Sequence, residues 1–95
     1  MNTPQVPIAL FRLGRIVSTP NALAQLTQED LLHAIQRHQA GVWGEVDEHD
    51  QQANDHALTD GGRLFSVYRS ASGIKFWVIT ESDHSATTLL MPEDY

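Results

Sequence analysis

The hydrophobic pattern of the chain changes period at Gly62, and this change limits the folds that the chain can adopt. After Gly62, apolar and polar residues alternate in three runs, Leu64–Arg69, Ile74–Glu81 and Ser85–Met91, which are rich in β-branched and aromatic residues. The short polar stretches SASG and SDH separate the runs. Alternation interrupted by short turns is typical of consecutive antiparallel strands. The second part of the chain therefore predicts a three-stranded antiparallel β-meander.

Helical signals precede Gly62. Thr27 and Asp30 have the spacing of a capping box, in which each side chain accepts a hydrogen bond from the other residue's backbone amide. We therefore expect a helix from Gln28, ending at Gly41, where glycine can adopt the left-handed conformation. Small apolar residues recur at helical spacing in Asp47–Leu58, which predicts a second helix.

The segment before the first helix is predicted to be extended. Ile8–Val17 mixes β-branched and aromatic residues, as a strand or an extended entry segment would. Pro20–Leu26 predicts one short helical turn, because proline is favoured at the first helical position. Together these signals predict an α+β fold, in which an N-terminal extended segment and two short helices pack on a three-stranded antiparallel meander.

Length and composition predict one cytoplasmic domain. The 95 residues fit a single core, residues 1–95, since domains typically hold about 100 to 150 residues. No apolar run approaches the roughly 18 residues of a membrane span. The N-terminus shows no basic leader followed by a cleavage site, so no secretory signal is expected. The chain has 0 cysteines, which suits a reducing cytoplasm.

Charge is unevenly distributed. Six Lys and Arg against 12 Asp and Glu give a net charge of −6, so nucleic acid is not an expected partner. Residues Glu45–Asp60 carry acidic side chains and neither Lys nor Arg. This segment, with Asp47 and Glu48 near its start, is a candidate surface for a basic protein partner. The alternative is a solvated helix face with no partner.

The predicted strand register brings polar side chains to one edge of the sheet. If both hairpins close with four-residue loops, Arg63 lies opposite Thr80, and Thr80 lies opposite Thr87. Asp50 and Asn54, four residues apart on the second helix, lean toward the same row. These five residues form the candidate polar row. Two structural interpretations compete with ligand binding: Arg63 pairs with Asp50, and Asn54 holds a neighbouring loop.

The opposite sheet face is a second candidate for partner binding. In the predicted register its apolar centre consists of Tyr68, Trp77, Ile79 and Leu90. Exposed apolar patches often mark association sites. The alternative is that residues 8–17 cover this face. An uncovered edge strand would additionally permit a homodimer.

Sequence motifs for catalysis are missing, since the chain has no phosphate-binding loop, nucleophile elbow or zinc-binding helix motif. We expect no cofactor and no bound metal, and a non-enzymatic protein is favoured. One enzymatic alternative stays open, a small metal-independent ribonuclease similar to toxin ribonuclease folds. Glu81, His84 and either Arg63 or Arg69 would supply its base, acid and cation.

Several patterns resemble those of a family of small uncharacterised bacterial proteins carried on plasmids and other mobile elements. They are Trp43-Gly44, Asp50 and Asn54, then GxRLxSxYR ending at Arg69, and WVITExDxSxTTxLxPxxY ending at Tyr95. The likeness runs from Leu13 to Tyr95, and His84 stands where the family usually has arginine. The resemblance implies an accessory gene of a mobile element. It favours a small accessory protein that binds or regulates a protein partner.

Overall fold

The three helices start where capping side chains are available. The structure, a computed structural model, describes residues 9–95; Ile8, the first residue of the predicted extended segment, lies outside the described residues. The helices are α1 (Pro20–Gln25), α2 (Gln28–Gln39) and α3 (Glu48–Asp60). Thr19, Thr27 and Asp47 cap them, and the Thr27–Asp30 capping box is formed. The predicted starts of α1 and α2 are confirmed.

The sheet contains one strand more than predicted. Its strands are β1 (Arg15–Ser18), β2 (Leu64–Arg69), β3 (Lys75–Thr80) and β4 (Ala86–Leu90), in the spatial order β1-β4-β3-β2. The strands β2, β3 and β4 form the antiparallel meander, and β1 pairs with β4 in parallel. The α+β class is confirmed, but the sheet is a four-stranded mixed sheet.

Gly14 allows β1 to approach β4. It has a φ of +66°, and a Cβ at this position would lie 2.3 Å from the His84 carbonyl oxygen. With glycine in place, the Arg15 amide donates to the Ser85 carbonyl over 3.0 Å, and the Thr19 amide donates to the Leu89 carbonyl over 3.0 Å. A parallel pairing of this kind joins residues about 70 positions apart, which local sequence patterns do not reveal.

The predicted register is right for one hairpin and wrong for the other. Between β3 and β4, Thr80 lies opposite Thr87, as predicted. Between β2 and β3, Arg69 pairs with Lys75 and Leu64 pairs with Thr80, one residue away from the predicted pairing. The cause is Ser70, whose Oγ accepts the Ile74 amide over 3.0 Å and whose own amide donates to the Ile74 carbonyl over 2.8 Å.

The one-residue shift turns β2 over, because alternate residues of a strand point to opposite faces. Leu64 and Tyr68 are buried on the face that meets α2, whereas Arg63 is exposed. The prediction that Arg63 shares a row with Thr80 and Thr87 is therefore wrong. The prediction that Tyr68 lies beside Trp77 on the opposite face, here named the outer face, is also wrong.

The outward edge of β2 is closed by α3 and by the segment before it. The Asn54 side chain accepts the Phe65 amide over 2.9 Å and donates to the Phe65 carbonyl over 2.7 Å. Further along, the Val67 amide donates to the Trp43 carbonyl over 3.0 Å, and the Glu45 amide donates to the Val67 carbonyl over 2.8 Å. Asn54 thus replaces a neighbouring strand, which supports its structural interpretation.

Replacing Asn54 should weaken this edge. In Asn54→Leu the Phe65 amide and carbonyl lose their partners, and we expect the free energy of unfolding to fall by about 2 kcal/mol. Urea unfolding measures the change. The control is Gln52→Ala, an exposed position on the same helix that should leave stability within about 0.5 kcal/mol. An equal effect of both substitutions would contradict the role given to Asn54.

The core lies between the helices and the inner face of the sheet, in two clusters that both contact Ile35. Tyr68, Phe76 and Val78 belong to the first cluster, and Phe11 and Leu13 belong to the second. The expectation that residues 8–17 cover the outer face is wrong for the described part of that segment, because Phe11 and Leu13 pack on the inner side with Trp43 and Leu64.

Membrane insertion through a helix finds no support in the described part of the chain. Every helix between residues 9 and 95 is too short or too polar to cross a bilayer.

Candidate functional site

A chain of hydrogen bonds runs through the core from α2 to the N-terminal segment. His38 Nδ1 lies 2.6 Å from Ser66 Oγ, and His38 Nε2 lies 2.9 Å from Thr80 Oγ1. Thr80 Oγ1 lies 2.7 Å from Thr87 Oγ1, which donates to the Leu13 carbonyl over 2.7 Å. The four side chains are 0% exposed. We name this the His38 network.

The Leu13 carbonyl determines where the protons of the His38 network lie, because a carbonyl can only accept. The Thr87 hydroxyl donates its only hydrogen to the Leu13 carbonyl, so its oxygen accepts a hydrogen bond from the Thr80 hydroxyl. Thr80 then accepts from His38 Nε2, and the unprotonated Nδ1 accepts from Ser66. Every donor finds one acceptor when His38 is neutral.

Burial keeps His38 neutral. Desolvation lowers the pKa of His38 from 6.5 to about 4, because the charged imidazolium loses water and meets no carboxylate among its hydrogen-bond partners. The rings of Phe11 and Trp43 stand edge-on to the imidazole, with centroids 5.2 Å and 5.6 Å away. A serine that is hydrogen-bonded to a histidine can act as a nucleophile, but Ser66 and His38 are both fully buried. The His38 network therefore joins strands and helix without reaching a substrate.

Sequence reasoning missed His38 and Ser66. His38 lies near the C-terminal end of α2, where a positive charge suits the helix macrodipole, so its position offered no reason to assign it a function. Its spacing from Leu31 and Ile35 was the available signal, since residues seven and three positions apart lie on one helix face. Ser66 was placed on the wrong face by the register of β2.

The outer face carries an apolar cleft beside the acidic helix. Its volume is about 320 Å³, and its lining residues are Asp50, Arg63, Phe65, Trp77, Ile79 and Tyr95. We name it the outer cleft. The Phe65 and Trp77 rings meet edge to face at 5.2 Å, and Trp77 and Tyr95 do so at 5.7 Å. The two surfaces that the sequence predicted separately, the acidic helix and the Trp77 face, meet here.

Arg63 closes one side of the outer cleft. Its Nη1 donates to the Tyr95 hydroxyl over 2.9 Å, its Cζ lies 5.7 Å from the centre of the Tyr95 ring, and its Nε is 3.7 Å from Glu81. The hydrogen bond to Tyr95 raises the pKa of Arg63 above its usual value. Arg63 does not pair with Asp50, as the structural interpretation had expected; it pairs with Glu81.

Asp50 forms the acidic side of the outer cleft. It is partly buried in the first turn of α3, and it forms no ion pair with any residue between 9 and 95. Two acids precede it: Asp47 caps the helix by accepting the Asp50 amide over 2.7 Å, and Glu48 is exposed. Negative charge therefore collects at this end of α3.

The remaining residues of the predicted outer surface offer little contact area. Ile79 and Leu90 are only 5% and 6% exposed, so Trp77 is the accessible part of that centre. The 3₁₀ turn Pro92–Asp94 lies against β3 and brings Tyr95, which is 70% exposed, to the rim of the cleft.

The residues proposed for a ribonuclease do not meet in one place. Glu81 contacts Arg63, whereas the His84 ring lies against Phe11 at 5.7 Å between centroids. Arg69 lies at the other end of β2, about 20 Å along the strand from Arg63. There it pairs with Glu45 over 2.9 Å.

A second, polar cleft of about 310 Å³ lies between α2 and the β2–β3 loop. Asp30 accepts the amides of Ala71 and Thr27, and these bonds, the one from Ala71 first, lower the pKa of Asp30. Arg69 is held by Glu45, and Arg37 lies over the Tyr68 ring at 5.4 Å. Most charged groups of this cleft are therefore engaged in contacts within the chain.

Between residues 9 and 95 no group of three or more histidines and carboxylates is arranged to hold a metal ion. His56 Nε2 lies 3.2 Å from an Asp60 carboxylate oxygen one turn further along α3.

Comparison with protein-family models, curated proteins and solved structures finds no match to this chain.

Proposed function

We propose that the chain is a small non-enzymatic accessory protein of a mobile genetic element, and that it binds a protein partner through the outer cleft. The observation that carries this proposal is the meeting of Asp50 from α3 with Trp77 from β3 in one cleft. Aromatic residues are enriched in protein interfaces, and tryptophan and tyrosine are frequent among the few residues that carry most of the binding energy. The mobile-element context rests on the resemblance described above.

Two further observations favour binding over catalysis. The serine and histidine that are paired in the His38 network are fully buried, so a substrate has no access to them. The groups that could serve a ribonuclease are dispersed over both ends of β2. An accessible aromatic surface with adjacent acids is then the feature best suited to a function.

Capture experiments test the proposal. The tagged protein should retain a bacterial partner, and the double variant Glu48→Gln, Asp50→Asn should reduce capture at least tenfold, because it removes the charge beside Trp77. Asp47 is left unchanged because it caps α3. A tenfold loss corresponds to about 1.4 kcal/mol of binding.

The matched control is Glu29→Gln, Asp83→Asn, which removes the same charge from exposed positions away from the outer cleft. It should capture the partner as the unmodified protein does. Circular dichroism confirms that both variants are folded. Equal capture by all three proteins would contradict binding at the acidic end of α3.

A further inference from the structure

The outer cleft has the size and the walls of a site for one side chain. Its volume of about 320 Å³ is at the lower end of ligand pockets, which span about 300 to 1,000 Å³. Phe65, Trp77 and Tyr95 provide three aromatic walls, each ring set edge to face against its neighbour. The faces of aromatic rings carry the negative part of the aromatic quadrupole and therefore attract cations.

Asp50 supplies a carboxylate that forms no ion pair within the described part of the chain, because Arg63, the cation that lines the same cleft, pairs with Glu81. Its place in the first turn of α3 suits the helix macrodipole, and this explains why a carboxylate is stable there. The macrodipole does not explain why the carboxylate borders aromatic rings. An uncharged apolar group filling the cleft would desolvate Asp50 without pairing it, which is unfavourable.

The chain itself shows how a guanidinium binds at this cleft. Arg63 lies over the Tyr95 ring at 5.7 Å and is 3.7 Å from Glu81, so it combines an aromatic contact with a carboxylate contact. Trp77 and Asp50 offer the same combination on the other side of the cleft, and tryptophan is the aromatic residue that attracts cations most strongly. Among the residues from 9 to 95, no Lys or Arg side chain lies over Trp77 or pairs with Asp50.

We infer that the outer cleft receives an arginine side chain of the protein partner, with the guanidinium paired to Asp50 and its plane against Trp77. This inference rests on the proposed function and names the chemistry that the partner presents. Arginine fits better than lysine, because its planar group stacks on an aromatic ring while its N–H groups bind a carboxylate. The three-carbon stem would lie along the apolar wall formed by Phe65 and Ile79.

Peptide titration followed by NMR tests the inference. The two indole N–H signals report on different places, since Trp77 lines the cleft and Trp43 is buried behind α3. A capped arginine-containing peptide should shift the Trp77 signal saturably at millimolar concentration and leave the Trp43 signal in place. The same peptide with citrulline, which keeps the shape and loses the charge, should bind at least fivefold more weakly. Asp50→Asn should weaken the arginine peptide by a similar factor, and Asp83→Asn should not.

Three results would overturn the inference: no saturable shift of the Trp77 signal, equal shifts with arginine and citrulline, or no effect of Asp50→Asn. Its failure is distinguishable from failure of the proposed function. If a captured partner requires Trp77 and Asp50 but arginine peptides do not bind, the proposed function stands, and the inference that the partner presents an arginine is wrong. If the peptides bind but no partner depends on the outer cleft, the site stands and the function is wrong.

Discussion

Lowering the pH from 7 to 4 is expected to reduce the free energy of unfolding by on the order of 3 kcal/mol through His38 alone. Burial lowers the pKa of folded His38 to about 4, against 6.5 as the ordinary value. Below pH 6.5 the unfolded chain therefore binds a proton that the folded chain does not, so stability falls as the pH decreases. The loss ends near pH 4, where folded His38 also becomes protonated. Each pKa unit corresponds to about 1.36 kcal/mol.

Urea unfolding at a series of pH values measures this loss, and two variants isolate its source. His38→Leu loses the hydrogen bonds to Ser66 and Thr80, so its free energy of unfolding at pH 7 should be lower. Because leucine cannot titrate, this free energy should also depend less on pH between 6.5 and 4. His49→Gln removes an exposed histidine and should keep the steep dependence. The carboxyl groups of Asp30 and Asp94, whose pKa values are lowered by hydrogen bonds from Ala71 and Thr19 respectively, lose their contribution only at lower pH, below 3.8. A profile of His38→Leu as steep as that of the unmodified protein would contradict the account.

Gly44→Ala is expected to cost about 3 kcal/mol or more, enough to unfold a domain of marginal stability. Gly44 has a φ of +75°, and a Cβ there would lie 2.0 Å from the Val67 carbonyl oxygen. Relieving this overlap separates the segment from β2 and breaks the bonds that join Val67 to Trp43 and Glu45. The edge of β2 is then open, and Trp43 loses its position beside His38.

Gly73→Ala is the matched control, because Gly73 has a similar φ of +89° with no atom within 4 Å of an added Cβ. It should cost only the backbone strain of a positive φ, about 1 kcal/mol. Thermal unfolding of both variants separates strain from overlap. If the two variants melt at the same temperature, the close approach of Gly44 to β2 is not a feature of the protein.

Local signals predicted the helices well because their causes are local. Thr27 and Asp30 complete the capping box within one turn, and Thr19 with Pro20 specifies the start of α1. The β3–β4 register follows from a short loop and from apolar residues on one face, and it places Thr80 opposite Thr87 as expected. Such features need only residues that are neighbours in sequence.

The features that were mispredicted depend on side-chain contacts that spacing does not encode. Ser70 bonds to Ile74 across the hairpin, which leaves a loop of three residues, 71–73, instead of the predicted four and so turns β2 over. The same change moved Arg63 away from Thr80 and brought Ser66 to His38. Because one face of β2 is buried, a shift of one residue decides which of its side chains enter the core. Ser66 therefore joins the His38 network, and Arg63 does not share a row with Thr80 and Thr87.

The candidate surface was predicted in parts. Composition indicated that the segment Glu45–Asp60 is acidic, and the alternation of apolar and polar residues placed Trp77 and Ile79 together on one face of the sheet. Their joining into one cleft depends on Asn54, which fixes α3 beside Phe65 and so brings Asp50 next to Trp77. Only the folded chain reveals this contact, because it requires a side chain to take the place of a strand.

Site-specific photo-crosslinking in cells tests whether the outer cleft binds a protein partner. p-Benzoylphenylalanine is placed at position 95, on the rim of the outer cleft, or at position 32, where Leu32 is 51% exposed on α2. Irradiation is expected to join a protein partner to the chain labelled at position 95 and not to the chain labelled at position 32. Crosslinking from position 32 alone would contradict binding at the outer cleft.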